Sequence, residues 1–170
     1  MSRGYRIEWK QAERTVRASD ELNIDVDLLD ILPADEMHQL LQEELVQDGW
    51  RREDDALVCD LKGARVELRE GRIDVHVDDD VVVTATRASQ AEAEDAARSA
   101  ATHAERALQQ KVVKQLTQLD KDIRGVMQDA LKRTYRRALE QRARALGDVE
   151  SIEERVGEDG EVEVTIKVKV

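Results

Sequence analysis

An α+β fold is what three features of this sequence predict. Two blocks of alternating apolar and polar residues, within 5–28 and 56–87, have the period of half-buried strands. Between them, an apolar stripe at three- and four-residue spacing follows Pro33, and residues 89–147 carry a far longer helical pattern. A last alternating block closes the chain. The predicted architecture is an antiparallel β-sheet with a short packing helix, a long helical region (hairpin or coiled-coil-like) and a C-terminal β-hairpin. The corresponding divisions are an α+β body over 1–87, the long helical region over 89–147, and a hairpin over 149–170 that returns to the body.

Each element has its own local argument. In GYRIEWKQ, Tyr5, Ile7 and Trp9 face one way and Arg6 and Glu8 the other. TVRAS reads as a short second strand, and ELNIDVDLL alternates again through Leu22, Ile24, Val26 and Leu28. A helix over 33–48 follows. Pro33 suits its first turn, Asp35 and Glu36 complement its positive end, and Met37, Leu40, Leu41 and Leu45 form one face. Gly49 is the stop. A β-meander over 56–87 comes next: ALVCDL, a Lys62-Gly63 turn, ARVEL, a Glu70-Gly71 turn, RIDVHV, a turn at Asp78, Asp79 and Asp80, then VVVTATR.

Ser89 with Glu92 three residues on is a capping-box pattern that opens the helical region. Val112, Leu116, Leu119, Ile123, Val126 and Ala130 then alternate spacings of four and three, a coiled-coil-like seam. This seam must be buried within the chain or against another chain, a second copy included. An unbroken helix over 89–147 would run roughly 90 Å, against a radius of gyration of about 15–16 Å for a compact chain of this length. A break around Asp120 to Gly125 is therefore slightly favoured, giving a helical hairpin. The tail pairs across an Asp159-Gly160 turn, with Val162, Val164, Ile166, Val168 and Val170 on one apolar face. Such a face needs cover, so the hairpin is expected to pair with the earlier sheet.

Composition narrows the function classes. Charged residues make up 38% of the 170 residues and aromatics 2%, with no Phe, so the core must be aliphatic. The formal net charge of −11 argues against general polyanion binding. A single cysteine, Cys59, rules out an internal disulfide and fits a reducing compartment. MSRGYRIEWK has no apolar run of signal-peptide type and no segment reaches transmembrane length, so a cytoplasmic location without a membrane partner is expected.

Against that acidic background, KRTYRRALEQRARALG (132–147) is basic. Lys132, Arg133, Arg136, Arg137, Arg142 and Arg144 surround Tyr135, a mixture that binds nucleic acid in other settings. Cations in the last turns of a helix are also favoured by its dipole, by about 0.3–1 kcal/mol each. The second reading is preferred, and these seven residues are the candidate partner-binding surface. HVDDD (76–80) and DVDLLD (25–30) are acid-rich but lack the ligand pattern of a calcium loop, and are read as solvated turn and strand face. His38, His76 and His103 are scattered, Cys59 lies on an inward strand face, and no nucleophile-elbow, phosphate-loop or dinucleotide motif occurs. No catalytic, cofactor-binding or metal residue is assigned, and no enzyme activity is expected.

MSRGYRIEW, LLDILPADEMHQLL and EELVQDGW together resemble the N-terminal part of a small bacterial family, an accessory domain of the FtsH ternary systems. The resemblance covers the first third well and the meander loosely. It implies a non-enzymatic component working beside a MoxR-type AAA+ ATPase, von Willebrand A-type proteins and FtsH-related components, in a setting of conflict between bacteria and phages. Two functions follow as expectations: an interaction or accessory protein with protein partners, or a nucleic-acid-associated protein using the 132–144 face.

Overall fold

The computed structural model describes residues 8–157 and 162–169. Its elements are β1 (Lys10–Asp25), α1 (Ala34–Gln47), β2 (Arg51–Glu53), β3 (Ala56–Leu61), β4 (Ala64–Arg69), β5 (Arg72–Arg87), α2 (Gln90–Leu146), β6 (Asp148–Val156) and β7 (Val162–Lys169). The fold is α+β. One sheet has the order β1-β5-β4-β3-β2, and β6 and β7 form a second sheet of their own. Tyr5, Arg6 and Ile7 of the first expected strand, Asp159 and Gly160 of the expected terminal turn, and Val170 lie outside the described residues.

The meander forms where its turn chemistry places it. Lys62 and Gly63 have φ of 50° and 82°, and Glu70 and Gly71 have 50° and 78°. Two successive positive φ values make the tight hairpin turn whose twist matches its strands. Leu57, Cys59 and Leu61 of β3 then face Leu68, Val66 and Ala64 of β4. β2 was not foreseen. It is a three-residue edge of charged side chains paired to β3 through Arg51↔Val58 and Glu53↔Ala56. α1 begins directly after Pro33 and ends as expected at Gly49. The Gly49 N–H bonds Val46 O and the Trp50 N–H bonds Leu45 O, the paired closure that a positive-φ glycine (96°) permits.

Four expectations are corrected. First, TVRAS and ELNID are not separate strands but parts of β1, a single strand of 16 residues. Val16 and Ala18 are buried on the same alternating parity as Leu22 and Ile24, and Trp9, just before the strand, is 66% exposed. Second, Asp78, Asp79 and Asp80 form no turn, because β5 runs through them. Its inward parity (Ile73, Val75, Val77) carries on through Asp79 to Ala85, and Asp79 is neutralised by Lys111 of α2. Third, α2 does not break into a hairpin. It is one helix of 57 residues passing through Gly125, where open space surrounds the position and the glycine costs only about 1 kcal/mol. Fourth, the terminal hairpin does not join the first sheet. Among the described residues β6 pairs with β7 alone, through partners such as Ile152↔Ile166.

The chain divides into two compact units, residues 1–22 with 76–119 and residues 23–75 with 120–170. In the first unit, Val16, Ala18, Val77 and Ala85 are buried on the strands, and Ala93, Ala97, Leu108, Val112 and Leu116 on α2. Ala93 and Ala97 have no exposed surface, so alanine is what the space beside that part of the helix accepts. In the second unit the core is formed by Met37, Leu41 and Leu45 of α1, Val58, Val66, Ile73 and Val75 of the sheet, and Ile123, Met127 and Ala130 of α2. Lys62, at the β3–β4 turn, pairs with Asp122 on α2.

The seam expected over 112–130 is buried within the chain, with one change. Val126 is only half-buried and Met127 takes its place at 5% exposure. The buried positions are Leu108, Val112, Leu116, Leu119, Ile123, Met127, Ala130, Thr134 and Ala138, a repeat of four, four and three. That is a period of eleven residues in three turns, close to the 3.6 of an ordinary helix, whereas a period of seven drives a left-handed supercoil.

Candidate functional site

Glu44 explains why α1 docks where it does. It lies on the apolar stripe of α1, one turn beyond Leu40 and Leu41, and is itself buried at 3% exposure. A carboxylate in that position needs cations. Arg133 and Arg137 of α2, one helical turn apart, supply them. Arg133 donates from Nε to Glu44 Oε2 at 2.8 Å and from Nη2 to Asp48. Arg137 donates from Nη1 to Glu44 Oε1 at 2.8 Å and from Nη2 to Glu43 Oε2 at 2.7 Å. One buried carboxylate is thus shared by two guanidiniums, each of which also holds a second acid, Glu43 of α1 or Asp48 at its C-terminal cap.

The electrostatics follow from that geometry. Burial pushes the Glu44 carboxyl up, but the Arg137 and Arg133 hydrogen bonds outweigh it and hold the group below its ordinary value. The Arg137 hydrogen bond lowers Glu43 as well. In return, the hydrogen bond each donates to Glu44 raises Arg133 and Arg137 further. Beside the charges, Met37, Leu40 and Ala138 pack together, flanked by Leu28, Ile31, Leu32 and Tyr135.

The other residues of the basic run hold different parts of the same unit. Arg142 donates to the Ile31 carbonyl at 2.9 Å, and the Tyr135 hydroxyl reaches the Asp27 carbonyl at 3.4 Å. Together they tie the segment between β1 and α1 to the helix. Arg136 bonds Glu140 on its own helix at 3.2 Å and Glu154 of β6 at 2.9 Å. Arg144 stands 4.0 Å from Glu140. Lys132 is exposed and has no ion-pair partner among the described residues. Gly147, between α2 and β6, admits no side chain, since a Cβ there would lie 2.3 Å from the Lys169 carbonyl oxygen.

Among the open features beside the run is a groove of about 390 Å³. Leu29, Ile31, Tyr135, Leu139 and Val164 line it together with Lys132, Arg133, Arg136 and Glu154. Leu29 is 60% exposed there. The run is therefore in part an internal clamp and in part the wall of a groove.

The remaining candidates are dispersed. Asp78 and Asp80 are exposed on β5 while Asp79 turns to Lys111, whose hydrogen bond lowers its pKa. Among the described residues, no three His, Cys, Asp or Glu side chains are grouped closely enough to hold a metal. His38 spends one ring nitrogen on the Ala34 carbonyl at 2.7 Å. Cys59 is half-buried, and burial pushes its thiol up to about 11. No described helix is long and apolar enough to cross a membrane.

Reading the sequence singled out the basic residues but missed Glu43, Glu44 and Asp48. The signal was present: position 44 continues the spacing of Met37, Leu40 and Leu41, so a carboxylate there sits on an apolar face.

Fold and site together define an α+β protein built on one long helix, whose basic end is clamped to a short acidic helix. The chain belongs to the FtsH ternary system domain X5 family, which it matches over residues 1–170. The likeness first seen in the N-terminal motifs thus extends through the long helix and the terminal hairpin. No curated protein and no solved structure matches the chain. Membership makes it a component of a multi-protein FtsH ternary system.

Proposed function

We propose that this protein is a non-enzymatic accessory component that acts through protein contacts inside its ternary system, with a MoxR-type AAA+ ATPase or a von Willebrand A protein as direct partner, in conflict between bacteria and phages. The observation that carries the reading is family membership along the whole chain. The side-chain chemistry is in keeping with it. The buried charge of Glu44 is engaged in holding α1, and the one thiol is kept protonated at neutral pH. The nucleic-acid alternative loses support, because Arg133 and Arg137 are each held by two carboxylates of α1 and its C-terminal cap.

The test is co-expression of the tagged full chain with the ATPase and the von Willebrand A protein of the same gene cluster. Recovery of either in a defined stoichiometric complex is the expected result. A chain that purifies alone from cells expressing both would overturn the reading.

A further inference from the structure

The two faces of α2 near its C-terminal end repeat one pattern, and only one of the two is filled. On the first face, Arg133 and Arg137 stand one turn apart beside the small buried side chains Thr134 and Ala138. That face holds α1, an acidic amphipathic helix that offers Glu43, Glu44 and Asp48 to the arginines and Met37 and Leu40 to the apolar strip. On the adjoining face, Lys132 and Arg136 stand one turn apart beside Tyr135 and Leu139, also one turn apart. This second face is the wall of the groove completed by Leu29 and Val164.

We propose that the groove docks an acidic amphipathic helix of a partner protein, in the manner in which the first face holds α1. The inference rests on the accessory reading and names the chemistry of the partner segment. Charge complementarity selects the occupant. The lining is apolar apart from three cations and one acid, Lys132, Arg133, Arg136 and Glu154. Lys132 has no ion pair among the described residues, and Arg136 is on exposed ion pairs to Glu140 and Glu154. Exposed pairs of that kind contribute little and exchange readily. In the proposed complex an apolar side chain of the incoming helix packs beside Leu29, and carboxylates one turn apart meet Lys132 and Arg136 as Glu44 and Asp48 meet Arg133. An apolar helix face laid into a groove with anchors at three- and four-residue spacing is a common mode of peptide recognition.

The chain supplies its own probe. A capped, fluorescein-labelled peptide of residues 34–48 (ADEMHQLLQEELVQD) is titrated with the full protein, read by anisotropy, beside a control peptide in which Glu43, Glu44 and Asp48 are lysine. The expected result is salt-sensitive binding of the acidic peptide, at least tenfold weaker for the control. Leu29→Asp and Lys132→Glu should each weaken it about tenfold or more. Both positions are exposed, so melting temperature should stay at the wild-type value. Binding unaffected by either substitution overturns the proposal, since the peptide would then be exchanging with α1 itself. So does absence of binding, tighter binding of labelled single-stranded DNA or RNA than of the peptide, or a light-scattering mass of two chains that Leu29→Asp returns to one, which would make a second copy the occupant. The co-expression complex separates the two levels of argument. If it survives Leu29→Asp with Lys132→Glu, the groove is not its docking site although the accessory reading stands. If the wild type forms no complex, the accessory reading itself fails.

Discussion

Glu44 is the residue at which burial and charge oppose each other most directly. It is 3% exposed and shared by two arginines that remain partly open to solvent, at 41% and 36% for their side chains. Removing it frees two cations that water can partly rehydrate, so the cost falls below that of a fully buried pair. Glu44→Ala should lower unfolding free energy by about 1–3 kcal/mol in urea titration. Added to Arg137→Ala it should cost less than the sum of the two, because both delete one contact. The pH dependence has a definite sign. The folded-state carboxyl sits below its ordinary value of 4.5, so its contribution is complete above about pH 4.5 and is lost as pH falls through the lowered value. The melting-temperature gap between wild type and Glu44→Gln should be constant from neutral pH to about 5 and close below that. Cys59 gives a second check at this scale. With the thiol raised to about 11, thiolate is scarce at neutral pH. Alkylation by iodoacetamide should be far slower than that of a free thiol and should accelerate through pH 9–11, which mass spectrometry reads directly; fast labelling at pH 7 would show an accessible, activated cysteine.

At the scale of elements, α2 and β5 show what local pattern does and does not reveal. The start of α2 was legible: the Glu92 N–H bonds Ser89 Oγ at 3.3 Å, as the capping pattern implies. Its continuity was not, because a glycine and a polar stretch at 120–125 look like a break when set against an overall size. The buried stripe decides the matter, since its four-four-three spacing runs through Leu119, Ile123 and Met127 without a gap. Gly125 then sits in a plain helix interior with open space around it. Gly125→Ala should raise stability, by up to about 1 kcal/mol, whereas Ile123→Asp, at a position 1% exposed, should cost several kcal/mol through an unpaired buried charge. Thermal melts of the pair check both signs, and a destabilised Gly125→Ala would mean that the helix bends there. In β5 and β1 the alternating parity was unbroken, but charged residues on the inward parity (Asp79, Arg14, Asp20) disguised it as turns and separate strands. The partner that makes the first of these tolerable, Lys111, lies 32 residues along the chain.

For the molecule as a whole, the formal charge of −11 sets the behaviour toward polyanions. Arg133 and Arg137 are held by carboxylates, so few cations of the basic run are left for phosphates, and binding through so few contacts falls away with salt. Anisotropy with labelled DNA and RNA at about 150 mM salt should detect no sub-micromolar complex. Such a complex, abolished by Arg136→Glu, would reinstate nucleic acid as the partner. The α+β class, the helix after Pro33, the two tight turns of the meander, the buried seam of the long helix and the terminal hairpin are written in local sequence. All of these rest on apolar periods and turn residues that act over a few positions. That β1 and β5 run unbroken, that the hairpin forms a sheet of its own, and that the basic run closes on α1 came from long-range contacts. Those outcomes depend on which groups meet across the fold. Arg133 and Glu44 are 89 residues apart, and no local spacing states that a buried carboxylate and a cluster of arginines will answer each other.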